Sequence, residues 1–194
     1  MDRGEETRLV RGLREGDRRA FTEVFSCLYA RIYAFVLRLS RRTDVAEDLA
    51  QETFVRLSRA APRLTEDTRL VPYLLTVARN LHRSYRRWEM LDISRVFAFW
   101  GEADDAVRAH DAQPDTTRRL REVEAALGEL SVANREVLLL VGLEGLSGDE
   151  AASVLGIAPD ALRKRLSRAR QALDDRLAKR EARLRPNVPG RRPT

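Results

Sequence analysis

Cysteine is nearly absent from this chain. Cys27 is the one thiol in 194 residues, so no internal disulfide can form and no oxidising compartment is implied. It lies in the apolar run Val24-Phe25-Ser26-Cys27-Leu28 and reads as a small buried hydrophobe. Histidine is almost as scarce: His82 and His110 are the two imidazoles, and with one cysteine they supply neither a metal-ligand set nor a nucleophile–base pair. A glycine-rich phosphate loop is missing as well. These gaps argue against an enzyme and imply no cofactor. The opening Met-Asp-Arg-Gly-Glu-Glu lacks the apolar core of a signal peptide, and no run approaches the roughly 18 apolar residues of a membrane span. A cytoplasmic protein without membrane insertion is expected. Strand-like alternation is absent too. The 10 glycines and 7 prolines sit at boundaries, leaving helix-type periodicity almost throughout.

What is present in quantity is charge. Charged residues make up 34% of the chain beside 43% apolar ones, with a net charge of +6 and a pI of about 10.2. The apolar share suffices for a core, and the basic excess points to an anionic partner. Gly16-Asp17 offers a break and an N-cap, followed by the stripe Phe21, Val24, Phe25, Leu28, Ile32, Phe35, Val36, Leu39. Asp44 with Glu47 reads as an acidic capping box, opening a helix with Ala46, Leu49, Ala50, Thr53, Phe54 and Leu57 inward; Pro62 ends it. After a polar loop from Arg63 to Arg69, Pro72 fits the first turn of a helix carrying Leu74, Ala78, Leu81, Tyr85 and Trp88 on one side. Residues 89–100 are too apolar for a free linker, and either extend this domain or dock on a partner. From Gly101 to Thr117 the periodicity fades, and five acids face one base, for a net of −4. Such a segment buries too little surface to order itself.

The fold class expected is all-α, with two small helical domains joined by a flexible acidic linker. Residues 1–100 form the first domain, 101–117 the linker, 118–185 the second domain and 186–194 a disordered tail. In the second domain Leu120, Val123, Leu127 and Leu130 make one helical face, and Val137, Leu138, Leu140 and Val141 another.

The strongest motif is a helix-turn-helix at about 147–173. Ser147 caps its first helix with Glu150 as capping-box partner. Ala151 and Ala152 admit a close crossing, Gly156 supplies the turn, and Ile157 fills the angle. Pro159 and Asp160 suit the first turn of the second helix, where Leu162, Leu166, Ala169 and Leu173 face inward. Residues 163–170 hold five cations and no acid. Long cationic side chains of that kind are what reaching base edges and phosphates requires. A second signal is a pair of oppositely charged helices. Residues 44–52 carry Asp44, Glu47, Asp48 and Glu52 with no base, whereas 79–87 carry Arg79, Arg83, Arg86 and Arg87 with no acid. Separation by sign suggests two partners, a cationic protein surface and a nucleic acid. Tyr85 and Trp88 permit stacking on unpaired bases, but both fit the apolar stripe and are assigned to the core.

Here a resemblance becomes specific. Asp44-Val-Ala-Glu-Asp-Leu-Ala-Gln-Glu-Thr-Phe-Val-Arg-Leu resembles the second conserved region of the sigma factors of bacterial RNA polymerase, in particular the extracytoplasmic-function (group IV) members of the sigma-70 family. Leu70-Val-Pro-Tyr-Leu-Leu-Thr-Val-Ala-Arg-Asn resembles the segment that follows it, with Leu70 and Tyr73 in place of the usual Phe and Trp. Arg135 to Leu140, Glu144 to Ser147, Leu155-Gly156-Ile157 and Arg165-Leu-Ser-Arg-Ala-Arg resemble the fourth region. Ser131 stands where proline is usual, Gly148 where an aromatic is usual, and Asp160-Ala161-Leu162 where Gly-Thr-Val is common.

The resemblance implies a promoter-specificity subunit whose partners are core polymerase, through β and β′, and promoter DNA; it also allows an anti-sigma factor. It implies docking on β′ by Asp48, Gln51 and Glu52, and capture of the melted −10 element by Arg79, Asn80, Arg83, Arg86 and Arg87. It further implies reading of the −35 element by Asp160, Arg163, Lys164, Ser167, Arg168 and Arg170, and a linker threaded toward the polymerase cleft. Two other classes suit the sequence less well. A conventional regulator with a sensing domain on a helix-turn-helix needs neither of the oppositely charged helices, and a purely protein-binding adaptor has no use for the cations at 163–170.

Overall fold

The computed structural model describes residues 2–91 and 114–184. It holds eight α-helices: α1 Arg3–Arg14, α2 Arg18–Ser40, α3 Thr43–Ala60, α4 Leu70–Leu91, α5 Pro114–Gly128, α6 Val132–Leu138, α7 Gly148–Leu155 and α8 Pro159–Leu184. A short 3-10 turn, Ala61–Arg63, follows α3. The last turn of α6 continues as a π turn, Leu139–Leu143, where the Glu144 N–H donates to Leu139 O at 2.8 Å.

Each element starts for a local reason. Asp2 caps α1 by accepting from the Glu5 N–H at 2.9 Å, and Asp17 caps α2 by accepting from the Arg19 N–H at 2.8 Å. Leu9, Val10 and Leu13 turn α1 onto α2. The approach is close at Gly12, where a Cβ would stand 2.6 Å from the Ala20 Cβ. The expected stripe of α2 is largely buried, from Val24, Leu28 and Ile32 to Phe35, Val36 and Leu39. By length and composition α2 could cross a membrane, a property that counting uninterrupted apolar runs does not reveal. Here it is the central core helix, with α1, α3 and α4 packed around it.

Three local expectations need correction. Cys27 is exposed, because successive residues of a helix step about a quarter-turn round it and Cys27 falls beside the Val24–Leu28 stripe, not on it. Trp88 is 74% exposed, because the last turns of α4 run beyond the helices it packs against. The Asp44–Glu47 capping box does not form. Helix α3 begins at Thr43, so Asp44 lies inside it, and no side chain caps its N-cap residue Arg42. The Asp44 carboxylate instead binds the Arg42 guanidinium, at 2.5 and 3.2 Å, and this hydrogen bonding holds its pKa below the usual value. Arg42 also donates to Tyr85 Oη at 3.2 Å, which ties the start of α3 to α4.

In the second half, α5 begins at Pro114, inside the stretch read from sequence as linker. Residues 92–113 and the tail from 185 lie outside the described residues. Ser131 caps α6, its hydroxyl accepting from the Asn134 N–H. The apolar cluster of α1–α4 continues without a break into Val137, Leu140, Ala151, Val154, Leu155, Leu162 and Ala169. The two helical units thus pack on each other.

Candidate nucleic-acid and polymerase interfaces

The helix-turn-helix is built from local chemistry. The Glu150 N–H donates to Ser147 Oγ at 3.2 Å and the Ser147 N–H returns to Glu150 Oε2 at 3.0 Å, a complete capping box. That backbone contact holds the Glu150 carboxyl below its ordinary pKa. Gly156 ends α7 at φ +63°, the left-handed conformation where a side chain would be strained. The Ile157 N–H then bonds Ala152 O, and α8 starts at Pro159. Leu162 and Ala169 are buried, with Leu166 and Leu173 half-buried beside them. Arg163, Lys164, Ser167, Arg168 and Arg170 are therefore exposed along the opposite side. Asp160 is exposed as well and is ion-paired to Arg163. Farther along, Arg176 and Arg180 donate to the Glu129 carboxylate at 3.1 and 2.7 Å, fixing α8 to the end of α5.

On α3, burial of Ala46, Ala50, Thr53, Phe54 and Leu57 leaves Asp48 and Gln51 exposed and Glu52 half-buried on the outer side, with Glu52 bonded to Arg56 at 2.9 Å. Beside them lies a shallow groove of about 320 Å³ lined by Phe21, Phe25, Phe54 and Val55, with Gln51 at its edge. An acidic strip thus borders apolar ground.

Helix α4 has two faces. Asn80, Arg83 and Arg87 are exposed and Arg86 is half-buried. Arg79 stands apart from them, only 7% exposed. A helix places residue 79 in line with Leu75 and His82, on the side that the second unit covers. Its Nε lies 3.2 Å from a Glu136 carboxylate oxygen and its Nη1 donates to Val154 O at 3.2 Å. Ahead of α4, Glu6 of α1 accepts the Leu70 N–H at 2.7 Å and Arg69 Nε at 2.9 Å, capping the helix from a distant element.

The chain matches Sigma-70 region 2 over residues 24–90 and Sigma-70, region 4 over residues 120–173. It is 33% identical to the RNA polymerase sigma factor CarQ of Myxococcus xanthus over 169 residues, which cover 87% of this chain and 95% of that protein. It is 35% identical to the ECF RNA polymerase sigma factor EcfG of Rhodopseudomonas palustris, over 72% of this chain and 75% of that one. The chain belongs to the extracytoplasmic-function RNA polymerase sigma factors.

This sigma factor is therefore a DNA-binding transcription initiation factor that gives core RNA polymerase its promoter specificity. Its fold is similar to that of Bartonella quintana RpoE, solved with the anti-sigma factor NepR, at a TM-score of 0.70 and 29% identity over 81% of this chain and 96% of that one. CnrH, solved with the cytosolic domain of CnrY, shares the fold at a TM-score of 0.68, with 24% identity, 90% of this chain and 98% of that one covered.

Sequence reasoning missed what joins the sigma factor's two regions. Arg135, 6% exposed, donates to the carbonyls of Leu127, Gly128 and Leu130 at the end of α5 and to Arg38 and Leu39 near the end of α2. A buried cation thus serves two helix C-termini, where carbonyls lack intrahelical donors. Burial, with Arg41 and Arg86 nearby, lowers its pKa to about 10, still well above neutrality. Arg31 binds the Glu144 carboxylate and Arg38 binds Glu124. Single charges distant in sequence carry no periodic signal, so these pairs become visible only in the fold.

Proposed function

We propose that α3 docks the sigma factor on core polymerase, that α4 holds the melted −10 element and that α8 reads the −35 element in the major groove. The observation that carries this is the helix-turn-helix itself, whose second helix exposes Arg163, Lys164, Ser167, Arg168 and Arg170 along one side. Asp48, Gln51 and Glu52 are the docking residues, an acidic strip suited to a cationic partner surface. Asn80, Arg83, Arg86 and Arg87 are the −10 contacts, joined by Arg79 once the second unit moves aside. Asp160 and the exposed residues of α8 are the −35 contacts, with Asp160 setting the direction of Arg163 or accepting from a cytosine amino group. The work is recognition without covalent chemistry, in the cytoplasm, with no enzymatic activity of its own. Likeness to an RpoE solved with its anti-sigma factor supports an anti-sigma partner for this chain as well.

Permanganate footprinting of promoter DNA tests the α4 assignment. With core polymerase, the chain makes thymines near −10 reactive. The triple variant Asn80→Ala, Arg83→Ala, Arg87→Ala lowers that reactivity more than it lowers initial duplex binding. Equal melting by variant and parent would return these residues to a plain solvated face.

A further inference from the structure

We propose that the place where the end of α2, the second half of α4 and the start of α6 meet is a binding site for a pyrophosphate group, free or carried by a nucleotide. Arg41 and Arg86 hold the group in the field of the buried Arg135. The inference goes beyond promoter recognition and does not rest on it.

Three cations converge from three elements. Arg41 caps the C-terminus of α2 at φ +60°, a left-handed conformation uncommon for a residue with a side chain. Its Nη1 donates to Gly128 O at 3.4 Å, and Arg135 Nη2 donates to the same oxygen at 2.7 Å. Arg135 also reaches Leu39 O, two residues before Arg41, at 2.9 Å. The next residue, Arg42, donates to Tyr85 Oη at 3.2 Å, so this loop lies against the stretch of α4 that carries Arg86. One turn before Arg86, His82 is 1% exposed, and its Nδ1 has no hydrogen-bond partner among the described residues. Arg86 itself is half-buried and makes no hydrogen bond or ion pair among the described residues. The crowding is felt in titration. After burial, Arg41 and Arg86 lower the Arg135 pKa, and Arg86 and Arg135 lower that of His82.

The acids nearest to these cations in sequence are all engaged elsewhere. Glu124 pairs with Arg38 and Glu136 with Arg79, both at 3.2 Å. Asp44 and Glu89 pair with Arg42 at 2.5 and 3.7 Å, and Glu129 pairs with Arg176 and Arg180. The carbonyl ends of α2 and α5 offset part of the Arg135 charge, and the Arg135 donors all serve such carbonyls. Arg135 therefore contributes field, whereas Arg41 and Arg86 have free donors. A guanidinium grips phosphate oxygens with two parallel N–H groups. One phosphate carries about −2 at neutral pH, so two joined phosphoryl groups match three cations better than one does.

Isothermal titration calorimetry on the full-length chain, in about 0.1 M salt, is the test. The parent is expected to bind one pyrophosphate. Arg41→Gly removes one guanidinium where the backbone conformation suits glycine, so the fold is kept; Arg86→Gln removes the other. Each is expected to weaken pyrophosphate about tenfold, the usual size for losing a charge-assisted hydrogen bond. Arg63→Gln changes an exposed arginine beyond the far end of the 18-residue α3, about 27 Å along that helix, and should leave binding unchanged. ATP carries the same group: binding tighter than that of pyrophosphate assigns the site to a nucleotide, and equal or weaker binding assigns it to the free anion. A parent that gives no saturable heat with pyrophosphate overturns the proposal, and so does an Arg41→Gly chain that binds as tightly as the parent. Equal weakening by Arg63→Gln overturns it as well, since binding would then follow net charge alone. A −10 single strand should be indifferent to Arg41→Gly. If it loses as much affinity as pyrophosphate does, Arg41 belongs to a track for DNA and the separate site is disproved.

Discussion

Glu6 shows how one residue reaches beyond its own helix. Its carboxylate accepts the first free N–H of α4 and the Arg69 guanidinium, so the start of α4 is fixed from α1. A hydrogen bond to a buried charged acceptor contributes about 2 kcal/mol. Glu6→Ala is therefore expected to lower stability by that amount in urea unfolding, with Glu6→Gln losing less. An Ala variant as stable as the parent would show the contact to be idle. Local devices of this kind were legible in the sequence where their parts lie within three residues, as in Ser147 with Glu150 or Asp17 with Arg19. Glu6 and Leu70 lie 64 residues apart, and no spacing rule connects them. On α8 the residue-scale expectation is a contrast. Loss of a bidentate base contact costs about 1–3 kcal/mol at one base pair, whereas loss of a phosphate contact weakens all sequences and lowers the salt slope by about one unit. Arg163→Ala should change which −35 sequences bind, and Arg168→Ala should weaken all alike. Titrations over a −35 library decide it, and unchanged preferences for Arg163→Ala would remove that residue from base reading.

Among whole elements, α3 and α8 were largely legible, because one continuous apolar stripe fixes which side faces out. Helix α4 was legible by half. Its stripe placed Leu74, Ala78 and Leu81 inside and Asn80, Arg83 and Arg87 outside, but a second covered face through Leu75, Arg79 and His82 has polar members and no sequence signature. Trp88 misled for the opposite reason: it continues the stripe after the helix has left its packing partners. His82 is the most consequential of the hidden residues. It is 1% exposed, its Nδ1 has no hydrogen-bond partner among the described residues, and burial beside Arg86 and Arg135 lowers its pKa to about 4. The neutral form is thus favoured by folding. Its contribution is complete above the unfolded pKa of about 6.5 and is lost as pH falls toward 4, on the order of 2 kcal/mol by pH 5. Urea unfolding at pH 7.5 and pH 5.0 should show that extra loss in the parent and not in His82→Gln. Equal pH slopes would mean that His82 titrates normally in the fold.

At the scale of the molecule, the sequence announced two helical units, and their separate motifs were readable because each is a contiguous run. Their mutual packing was not, because it depends on Arg31, Arg38, Arg79 and Arg135 meeting groups about 75 to 113 residues away. The chain gives core polymerase a promoter specificity it otherwise lacks. Run-off transcription with core polymerase and a promoter library measures that most directly. The parent chain is expected to produce discrete transcripts from a sequence-related subset of promoters, and Asp48→Arg with Glu52→Arg, which alters only the outer strip of α3, is expected to abolish them while leaving the fold intact. Transcripts that do not depend on adding the chain, or that persist undiminished with the double variant, would contradict the account.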